Sequence, residues 1–452
     1  MIDTDNPKGD AGKRYPGFRD RQLRSLAERR LGGVVFLRIG GLYFLYLRIP
    51  PGSKPTYEKK GLQFPIMNPI VYDNLPIERI IARVPAAQAL ADEVERLGKT
   101  RVYVLSSRTL NRETDVVSSI VAALGERCVS VFDSIGAHGP RDDVIDFANA
   151  LRETKADLIV TIGGGSVIDG AKVAQFCLAH GISTSEEFSN HLARVNNPAT
   201  EAELTTSSIR QVVVPTTLST GEFSNLGGSL NRETKTKEGV WGTNFCAQTI
   251  IFDPAVTVHT PEWLWLSTGL RAVDHCVEGY CSKETYPYVE GQVLHALRLF
   301  SRSLRRTKRA PDDLEARSLS QQAEWLTSSC ILRVTFGASH ALSYGLGGIG
   351  EVPHGLTSCV LLPAVLRWNE AVDGERQAVV AEAFGAPDQS ASAAVLGLLK
   401  DLGLPSRIRD VGVEESLLPA IADYAIKNPW MLSNPRPVSS IDDAMAILKM
   451  AW

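Results

Sequence analysis

The sequence lacks a strong excess of charge of either sign. Its 452 residues carry 48 lysines and arginines against 51 aspartates and glutamates, a formal net charge of −3 at pH 7. Such a balance gives no positive field over the whole surface that would attract a nucleic acid. The one dense basic stretch, at 302–309, ends a segment of helical periodicity and is interpreted as a solvated helix end. We therefore expect no nucleic-acid partner.

The sequence also lacks an apolar run long enough to span a membrane. In its most apolar segment, 32–50, the uninterrupted apolar stretch covers only 39–47 and is bracketed by Arg38 and Arg48. A spanning helix needs roughly 20 such residues, and no targeting signal is recognisable. We interpret residues 1–61 as an N-terminal extension that packs on the surface or is partly disordered, with weak membrane contact as the alternative. We expect no stable membrane insertion and a cytoplasmic protein.

Cysteine pairs and metal-type cysteine spacings are absent as well. The seven cysteines are an odd number, are scattered, and lie mostly inside apolar segments. This pattern is typical of a reducing compartment rather than of a disulfide framework. Buried thiols are therefore predicted at Cys128, Cys177, Cys246, Cys276, Cys281, Cys330 and Cys359.

What the sequence does contain, from about Leu62, is an alternation of helical and strand-like segments. Helices are predicted at 86–97, 115–124 and 142–154, and strands at 101–105, 128–132, 158–162, 211–214 and 249–252. This βαβ rhythm predicts a parallel sheet covered on both faces, with a ligand beyond the carboxyl ends of its strands. After residue 258 only helical periodicity follows, at 263–281, 291–304, 318–332 and 393–402. We predict an α/β domain over 62–258 and an all-helical domain over 259–452.

A run of glycines follows the strand at 158–162. The sequence there reads Gly163, Gly164, Gly165 and Ser166, and a helical segment comes next. A helix N-terminus behind a glycine turn offers free backbone N–H groups to a phosphate, and Asp169 can hold the loop from behind. The alternative is a simple tight turn, but the strand before it and the helix after it favour a dinucleotide site.

Hydroxyl residues end the strand at 211–214. Thr216 and Thr217 are positioned to hydrogen-bond a phosphate or a nicotinamide amide. A local turn, in which the hydroxyls bond their own backbone, explains them nearly as well. Both interpretations stay open.

Titratable residues cluster in the helical part. Arg271, His275 and Glu278 are spaced to share one helix face, whereas Asp274 is predicted to point about 100° away from His275. His340 and His354 follow further along the chain. Three histidines can bind a divalent metal ion, and histidines packed in a helical core are the alternative.

Five separated segments resemble iron-containing alcohol dehydrogenases. They are GGGSVIDGAK at 163–172, VPTT at 214–217, FDP at 252–254, TGLRAVDHCVE at 268–278 and SHALSYGLGGIGEVPHG at 339–355. Within that family the sequence looks closest to the branch that contains maleylacetate reductases. The resemblance implies a Rossmann-like dinucleotide-binding domain followed by a helical domain, in a dehydroquinate synthase-like architecture. It also implies hydride transfer between NADH or NADPH and a carbonyl or alcohol carbon of a small molecule, in the cleft between the domains.

The resemblance implies a metal site as well, and the sequence departs from it twice. In the family, one aspartate and three histidines hold iron or zinc, and His275, His340 and His354 match the histidines. The aspartate position is Arg271, a fixed cation that repels a divalent ion. Tyr344 stands where metal-using members carry a further histidine near the nicotinamide. We therefore expect no tightly held metal.

These replacements predict an altered chemistry at the same place. Arg271 is predicted to clamp a substrate carboxylate or to polarise a carbonyl oxygen, with a salt bridge to Glu278 or to another helix as the alternative. Tyr344 is predicted to deliver a proton if neighbouring cations lower its pKa, and the histidines to act as proton and hydrogen-bond donors around an oxyanion. The predicted substrate is an acidic or polyoxygenated carbonyl compound, such as a maleylacetate-like dicarboxylate.

Two other functions stay open at this level. The same architecture hosts non-redox lyase or cyclase chemistry in dehydroquinate synthase-like relatives, by analogy of fold only. A catalytically degenerate binding subunit is the other, although the intact glycine run argues against it. We expect a homodimer.

The turn after the strand at 101–105 bears on the choice between NAD and NADP. NAD-preferring members often carry an aspartate where this sequence has Ser107, which is followed by Arg108. A carboxylate would hydrogen-bond the ribose 2′-hydroxyl and repel a 2′-phosphate. The pair found here slightly favours NADPH.

Replacing Ser107 tests this assignment directly. Ser107→Asp should shift the ratio of NADPH to NADH affinity toward NADH, because the new carboxylate repels the 2′-phosphate and offers the 2′-hydroxyl a partner. The ratio is measured by fluorescence titration with each cofactor. An unchanged ratio would mean that this turn does not reach the adenosine ribose.

Overall fold

The computed structural model describes residues 70, 72–195, 205–234 and 236–452, together with three short strands nearer the N-terminus. Those strands are β1 (Arg29–Leu31), β2 (Val34–Ile39) and β3 (Leu42–Tyr46), and they pair antiparallel in that order. The rest of the predicted extension at 1–61 lies outside the described residues. Among the described helices, each is too short or too polar to cross a membrane.

Six parallel strands form the central sheet. They are β4 (Arg79–Ala82), β5 (Val102–Ser106), β6 (Cys128–Phe132), β7 (Leu158–Gly163), β8 (Arg210–Pro215) and β11 (Thr249–Phe252), in the spatial order β4-β11-β8-β7-β5-β6. The five strands predicted from sequence are all in this sheet, which confirms the predicted fold class. Between β8 and β11 an antiparallel hairpin, β9 (Leu226–Asn231) and β10 (Thr236–Trp241), packs against the helix that follows β7.

Helices cover both faces of the sheet. They are α1 (Ala86–Arg96), α2 (Arg108–Glu113), α3 (Val116–Leu124), α4 (Arg141–Glu153), α5 (Gly165–Ala179), α6 (Ser185–Val195) and α7 (Pro254–Thr257). Alternate residues of β5 enter different cores. Val102 and Val104 join the core under α1 and α3, whereas Tyr103 and Leu105 join the core under α4 and α5. A strand buried on both faces is continuously apolar, as the sequence of β5 is.

The strand order opens a crevice between β5 and β7. From β5 the chain crosses to β6 on one side, and from β6 it returns to β7 on the other side of β5. Ligands of open parallel sheets bind at such a change of direction, beyond the carboxyl ends of the strands. The Ser107 N–H donates to the Ile162 carbonyl at 3.2 Å, so the turn after β5 lies against the glycine run after β7.

The remainder of the chain is helical. Its helices are α8 (Glu262–Cys281), α9 (Pro287–Arg309), α10 (Leu314–Thr327), α11 (Ala338–Gly348), α12 (His354–Ala383), α13 (Ala391–Leu402), α14 (Leu418–Ala425), α15 (Trp430–Ser433) and α16 (Ile441–Ala451). Every residue of α8 from Trp265 to Cys281 is buried. Because a helix enclosed on all sides cannot turn its charged residues to water, those charges must find partners inside.

Several details of the sequence prediction are confirmed and others corrected. The basic stretch at 302–309 ends α9, where Arg306 pairs with Asp313 at 2.8 Å. Six of the seven cysteines are buried and Cys128 is half-buried, all of them free. The helix predicted at 318–332 is wrong at both ends, since α10 spans Leu314–Thr327. The division of the chain at residue 258 remains a prediction.

Asp253 ties two helices to the end of β11. Its Oδ1 accepts the Ala255 N–H at 2.9 Å, which caps α7, and its Oδ2 accepts the Ala86 N–H at 2.7 Å, at the start of α1. Asp253→Ala should lower the free energy of unfolding by about 2–3 kcal/mol, because both bonds to a buried carboxylate are lost. Urea unfolding measures the change. Asp253→Asn keeps one good acceptor and should lose less. Equal midpoints for wild type and Asp253→Ala would contradict this role.

Candidate active site

The loops after β7 and β8 meet at the crevice. A Cβ on Gly164 would lie 3.0 Å from Thr217 Cγ2, and one on Gly165 would lie 3.2 Å from Ser219 Oγ. The Thr216 N–H donates to the Gly163 carbonyl at 3.0 Å and closes the contact. Glycine is required because a larger residue would separate the two loops. The structure thus brings the predicted glycine run and threonines together.

Two hydroxyls at this contact have no partner. Thr217 Oγ1 and Ser219 Oγ are buried and make no hydrogen bond within the part of the chain that the structure describes. A buried hydroxyl without a partner costs free energy. Together with the N-terminus of α5, these groups fit the phosphates of a dinucleotide. Sequence reasoning missed Ser219, although it lies two residues after the predicted Thr217.

Other predicted cofactor residues line the same crevice. Ser107 is half-buried and Arg108 is exposed at the end of β5. Ser166 Oγ accepts the His138 N–H at 3.1 Å, from the loop after β6. The structure therefore gathers loops from three strands around the glycine run.

Asp169 holds the site through a lysine. Its Oδ1 accepts from Lys172 Nζ at 3.1 Å, and the same nitrogen donates to the Gly221 carbonyl at 2.6 Å. Lys237, on β10, lies 3.9 Å from Asp169 Oδ2, and its charge also acts on His354 across the cleft. The hairpin that carries Lys237 gave no recognisable strand pattern, so sequence reasoning missed this residue.

Arg271 lies at the centre of the helical side of the site. The residue is 3% exposed. Its Nη1 donates to Ser358 Oγ at 2.9 Å and to Ser343 Oγ at 3.2 Å. Nε is buried without a hydrogen-bond partner among the described residues. Because the protein bonds of Arg271 all use Nη1, the edge formed by Nε and Nη2 is left for a ligand, and that edge matches a carboxylate.

Asp274 lies in the same cluster, which corrects the prediction that it points away. Its Oδ2 is 3.6 Å from Arg271 Nη1 and accepts from Ser358 Oγ at 2.6 Å and from Ser339 Oγ at 2.8 Å. The neighbouring helices α11 and α12 enclose α8, so adjacent faces of α8 meet one polar cluster. Asp274, rather than Glu278, is the ion-pair partner of Arg271. Burial, and then the charge of Glu278, raise the pKa of Asp274 to about 7.

Glu278 fixes the orientation of His340. Glu278 Oε2 is 2.6 Å from His340 Nδ1. The two carboxylate oxygens also accept backbone N–H groups at the start of α11, from Gly337, Ser339 and His340 at 3.0, 2.8 and 3.3 Å. The Glu278 carboxylate thus acts as a hydrogen-bond acceptor throughout, so His340 Nδ1 carries the hydrogen that it donates to Glu278. The other ring nitrogen, Nε2, then has a lone pair. That Nε2 is buried without a partner among the described residues, so it is an acceptor and not the predicted donor.

The protonation states of the three histidines and of Tyr344 also differ from the prediction of proton-donating histidines and a tyrosine of lowered pKa. Burial, and then nearby charge, hold the pKa values of His275 and His340 well below 6.5. Although solvent reaches the His354 ring, the Arg271 charge is the main cause that holds its pKa well below 6.5. The three imidazoles are thus neutral at pH 7. Burial raises the pKa of Tyr344 against the lowering effect of Arg271, so its phenol keeps its proton.

Aromatic rings enclose the histidines. Phe336 stacks on His340 and His275 at centroid distances of 4.3 and 5.3 Å, and Trp430 lies 5.9 Å from Tyr344. Neither Phe336 nor Trp430 has a sequence signal that would have marked it. The wall they form limits the access of water, which strengthens every electrostatic interaction beside it.

The cluster has features for and against the binding of a divalent ion. Among the described residues, the group whose ligand atoms lie within 4.8 Å of one another is Asp274, Glu278 and His340, and not the three predicted histidines. Asp274 Oδ2, Glu278 Oε2 and His340 Nδ1 already have hydrogen-bond partners, whereas Asp274 Oδ1 and His340 Nε2 have none among the described residues. An ion there would displace these bonds while Arg271 repels it. The absence of a tightly held metal therefore stays a prediction.

Comparison with known proteins identifies the family. The iron-containing alcohol dehydrogenase model matches residues 78–254, and the C-terminal model of the Fe-containing alcohol dehydrogenase family matches residues 265–452. Dehydrogenase ALT3 of Alternaria alternata is 31% identical over 390 residues, covering 78% of this chain and 99% of the relative. Maleylacetate reductase 1 of Cupriavidus pinatubonensis (strain JMP 134 / LMG 1197) is 26% identical, covering 82% of this chain and 93% of the relative.

A solved structure agrees with this assignment. Maleylacetate reductase from Agrobacterium tumefaciens superposes with a TM-score of 0.71 at 25% identity, covering 85% of this chain and 99% of that one. The chain therefore belongs to the iron-containing alcohol dehydrogenase family and is an oxidoreductase. The resemblance predicted from the five sequence motifs is confirmed.

Gly164 provides a test of the cofactor crevice. Gly164→Val should abolish measurable NADH and NADPH binding, because its side chain collides with Thr217 and fills the space where a phosphate approaches the backbone. Fluorescence titration measures binding, and circular dichroism checks folding. Gly291→Val is the matched control, since a Cβ there meets nothing within 4 Å. Unchanged affinity in a folded Gly164→Val protein would place the dinucleotide elsewhere.

Proposed function

We propose that this chain catalyses NAD(P)H-dependent reduction of a carbonyl group, or the reverse oxidation, on a small substrate that bears a carboxylate. The observation that carries the proposal is the Nε and Nη2 edge of Arg271, which makes no hydrogen bond among the described residues and whose Nε is buried. This residue stands where the family resemblance implies a metal-binding aspartate. A buried cation with a free bidentate edge favours an anionic ligand.

The crevice at the glycine run supports a dinucleotide as cofactor. The unpartnered hydroxyls of Thr217 and Ser219, and the free N–H groups at the start of α5, fit its phosphates. Ser107 and the exposed Arg108 favour NADPH over NADH. When bound, the nicotinamide ring gives a hydride to the carbonyl carbon or takes one from the alcohol carbon.

Arg271 is predicted either to bind a substrate carboxylate or to polarise a carbonyl oxygen. Its surroundings favour the binding of a carboxylate. Serines 343 and 358 hold Nη1, so the guanidinium plane is fixed before substrate arrives. Asp274 balances its charge from 3.6 Å. Preorganisation of this kind lowers the cost of binding. Arg271 thus recognises the acidic end of the substrate.

The proton for the new alcohol comes from a neutral donor. Tyr344 keeps its phenol proton at pH 7, because burial raises its pKa, and the Arg271 charge stabilises the phenolate that would form. His340 presents only the lone pair of Nε2, which can accept a hydrogen bond from the substrate hydroxyl. In reduction, the carbonyl oxygen gains the Tyr344 proton as the carbon gains the hydride.

The site supplies a fixed positive charge where the family resemblance implies a metal ion. We propose that the reaction proceeds without a resident divalent ion, since Arg271 stands at the position of the family's metal-binding aspartate and its charge repels such an ion. Maleylacetate-like dicarboxylates fit these requirements, and one relative reported above is named a maleylacetate reductase. The predicted homodimer also stays a prediction.

A pair of aldehydes tests the role of Arg271. Wild type should prefer a four-carbon ω-oxo acid over the neutral aldehyde of the same length, measured as kcat/KM. Arg271→Met should reduce kcat/KM for the acid by roughly 10- to 100-fold more than for the neutral aldehyde, because a charge-assisted bidentate contact contributes about 1.5–3 kcal/mol.

Two further variants control this experiment. Arg271→Lys keeps the charge beside Asp274 but loses the bidentate edge, so it should fold normally and lose much of the selectivity. Arg302→Met removes an exposed arginine of α9 and should change neither substrate. Equal losses on both aldehydes would show that Arg271 does not bind the carboxylate.

A further inference from the structure

Two glutamates outside the catalytic cluster are buried against each other. Glu222 follows the loop after β8, and Glu324 lies on α10 of the helical part; both are 0% exposed. The two carboxyl groups lie close enough for each to act on the pKa of the other. Glu222 Oε1 and Oε2 and Glu324 Oε2 have no hydrogen-bond partner among the described residues. The family motifs recognised in the sequence include neither residue.

Among the described residues, no cation forms an ion pair with either glutamate. The charge of Lys172 on α5 acts on Glu222, but its three Nζ hydrogens go to Asp169 Oδ1, the Gly221 carbonyl and the Leu226 carbonyl, at 3.1, 2.6 and 2.9 Å. Asp169, on the same helix, adds a further negative charge near Glu222. Two adjacent buried carboxylates cannot both be ionised at modest cost. A single proton held between them removes the repulsion and satisfies the facing oxygens.

The pair also holds the loop that faces the glycine run. Glu324 Oε1 accepts the Thr220 N–H at 2.7 Å. Thr220 is a β-branched residue with φ of 58°, in the left-handed region that such residues rarely adopt. A strained residue of this kind persists only where its surroundings fix it. Its neighbour, Ser219, directs an unpartnered hydroxyl at Gly165.

We propose that Glu324 is a positioning residue for the cofactor loop, and that it acts only while it shares one proton with Glu222. The inference rests on the proposed cofactor site. With the proton present, α10 holds Thr220 in its strained conformation and Ser219 stays aimed at the phosphate position. Without the proton, charge repulsion separates the two glutamates, Thr220 relaxes, and the hydroxyl of Ser219 leaves the crevice. Cofactor affinity is thereby linked to the contact between the α/β part and α10.

The direction of the pH dependence follows from the burial of the pair. Burial raises the pKa of Glu222 to about 7, and burial together with the charge of Glu222 raises the pKa of Glu324 well above its usual value. Because the folded state binds this proton more tightly than the unfolded chain does, its contribution to stability is present below the ordinary carboxyl range. That contribution is lost as the pH rises to the folded-state values.

Cofactor titration against pH is the test. The Kd of wild type for NADH should rise as the pH is raised above neutrality, by up to about tenfold per pH unit, as expected for one linked proton. Glu324→Gln keeps an oxygen for the Thr220 N–H and gives Glu222 a permanent N–H donor. Its Kd at pH 6.5 should match wild type within about twofold, and its Kd should stay level to pH 8.5. NADH avoids the titrating 2′-phosphate of NADPH.

Two more variants separate positioning from general packing. Glu324→Ala removes both contacts and should weaken NADH binding at least tenfold at every pH, whereas Glu315→Gln, at an exposed position of the same helix, should leave the profile unchanged. The proposal is overturned if wild type and Glu324→Gln share one pH profile, or if Glu324→Ala binds NADH as wild type does.

Thermal unfolding distinguishes this proposal from the proposed function. From pH 5 to 8, the Tm of wild type should fall relative to that of Glu324→Gln, whether or not a nicotinamide cofactor binds. If wild type binds no NADH but the Tm difference changes as stated, the proposed function fails and the shared proton stands. A Tm difference that is constant with pH would exclude the shared proton.

Discussion

The ion pair between Arg271 and Asp274 is the interaction on which the helical half of the site depends. Both residues belong to the buried stretch of α8, where an uncompensated charge would cost several kcal/mol. Arg271 Nη1 reaches Ser343 on α11 and Ser358 on α12, and Ser358 also donates to Asp274. Three helices are thereby joined around one guanidinium. The same bonds leave the opposite edge of that guanidinium free, so the stabilising network and the binding edge are parts of one arrangement.

The α/β half provides a second requirement, which is close contact between two loops. Glycines at 163–165 allow the loop after β8 to approach the start of α5, and Lys172 secures that loop from behind through the Gly221 carbonyl. Residues of both halves meet across the crevice. The charge of Lys237 reaches His354, and Glu324 binds the Thr220 N–H. The geometry of the proposed cofactor site therefore depends on the helical half as well as on the glycine run.

Sequence patterns predicted the sheet better than they predicted the site. The bounds of β6 and β11 match the prediction because short β-branched runs between helices have few alternatives. The hairpin of β9 and β10 was missed, since LGGSLN carries no β-branched residue. Helical spacing placed Arg271 and Glu278 on one face correctly. It misplaced Asp274, because spacing on one helix does not reveal that α11 and α12 enclose it. The charge states of the histidines and the contact between Glu222 and Glu324 depend on burial and on residues far apart in the sequence.

The central claim is that a guanidinium has replaced a metal ion in a family named for iron. Elemental analysis of the purified protein, combined with activity on an oxo acid before and after chelation, tests this claim most directly. The account predicts substoichiometric iron and zinc, and NAD(P)H oxidation that is unchanged by chelator, because a guanidinium in place of the aspartate ligand repels a divalent ion. Stoichiometric metal, with activity that is lost to chelator and restored by adding iron or zinc, would contradict it.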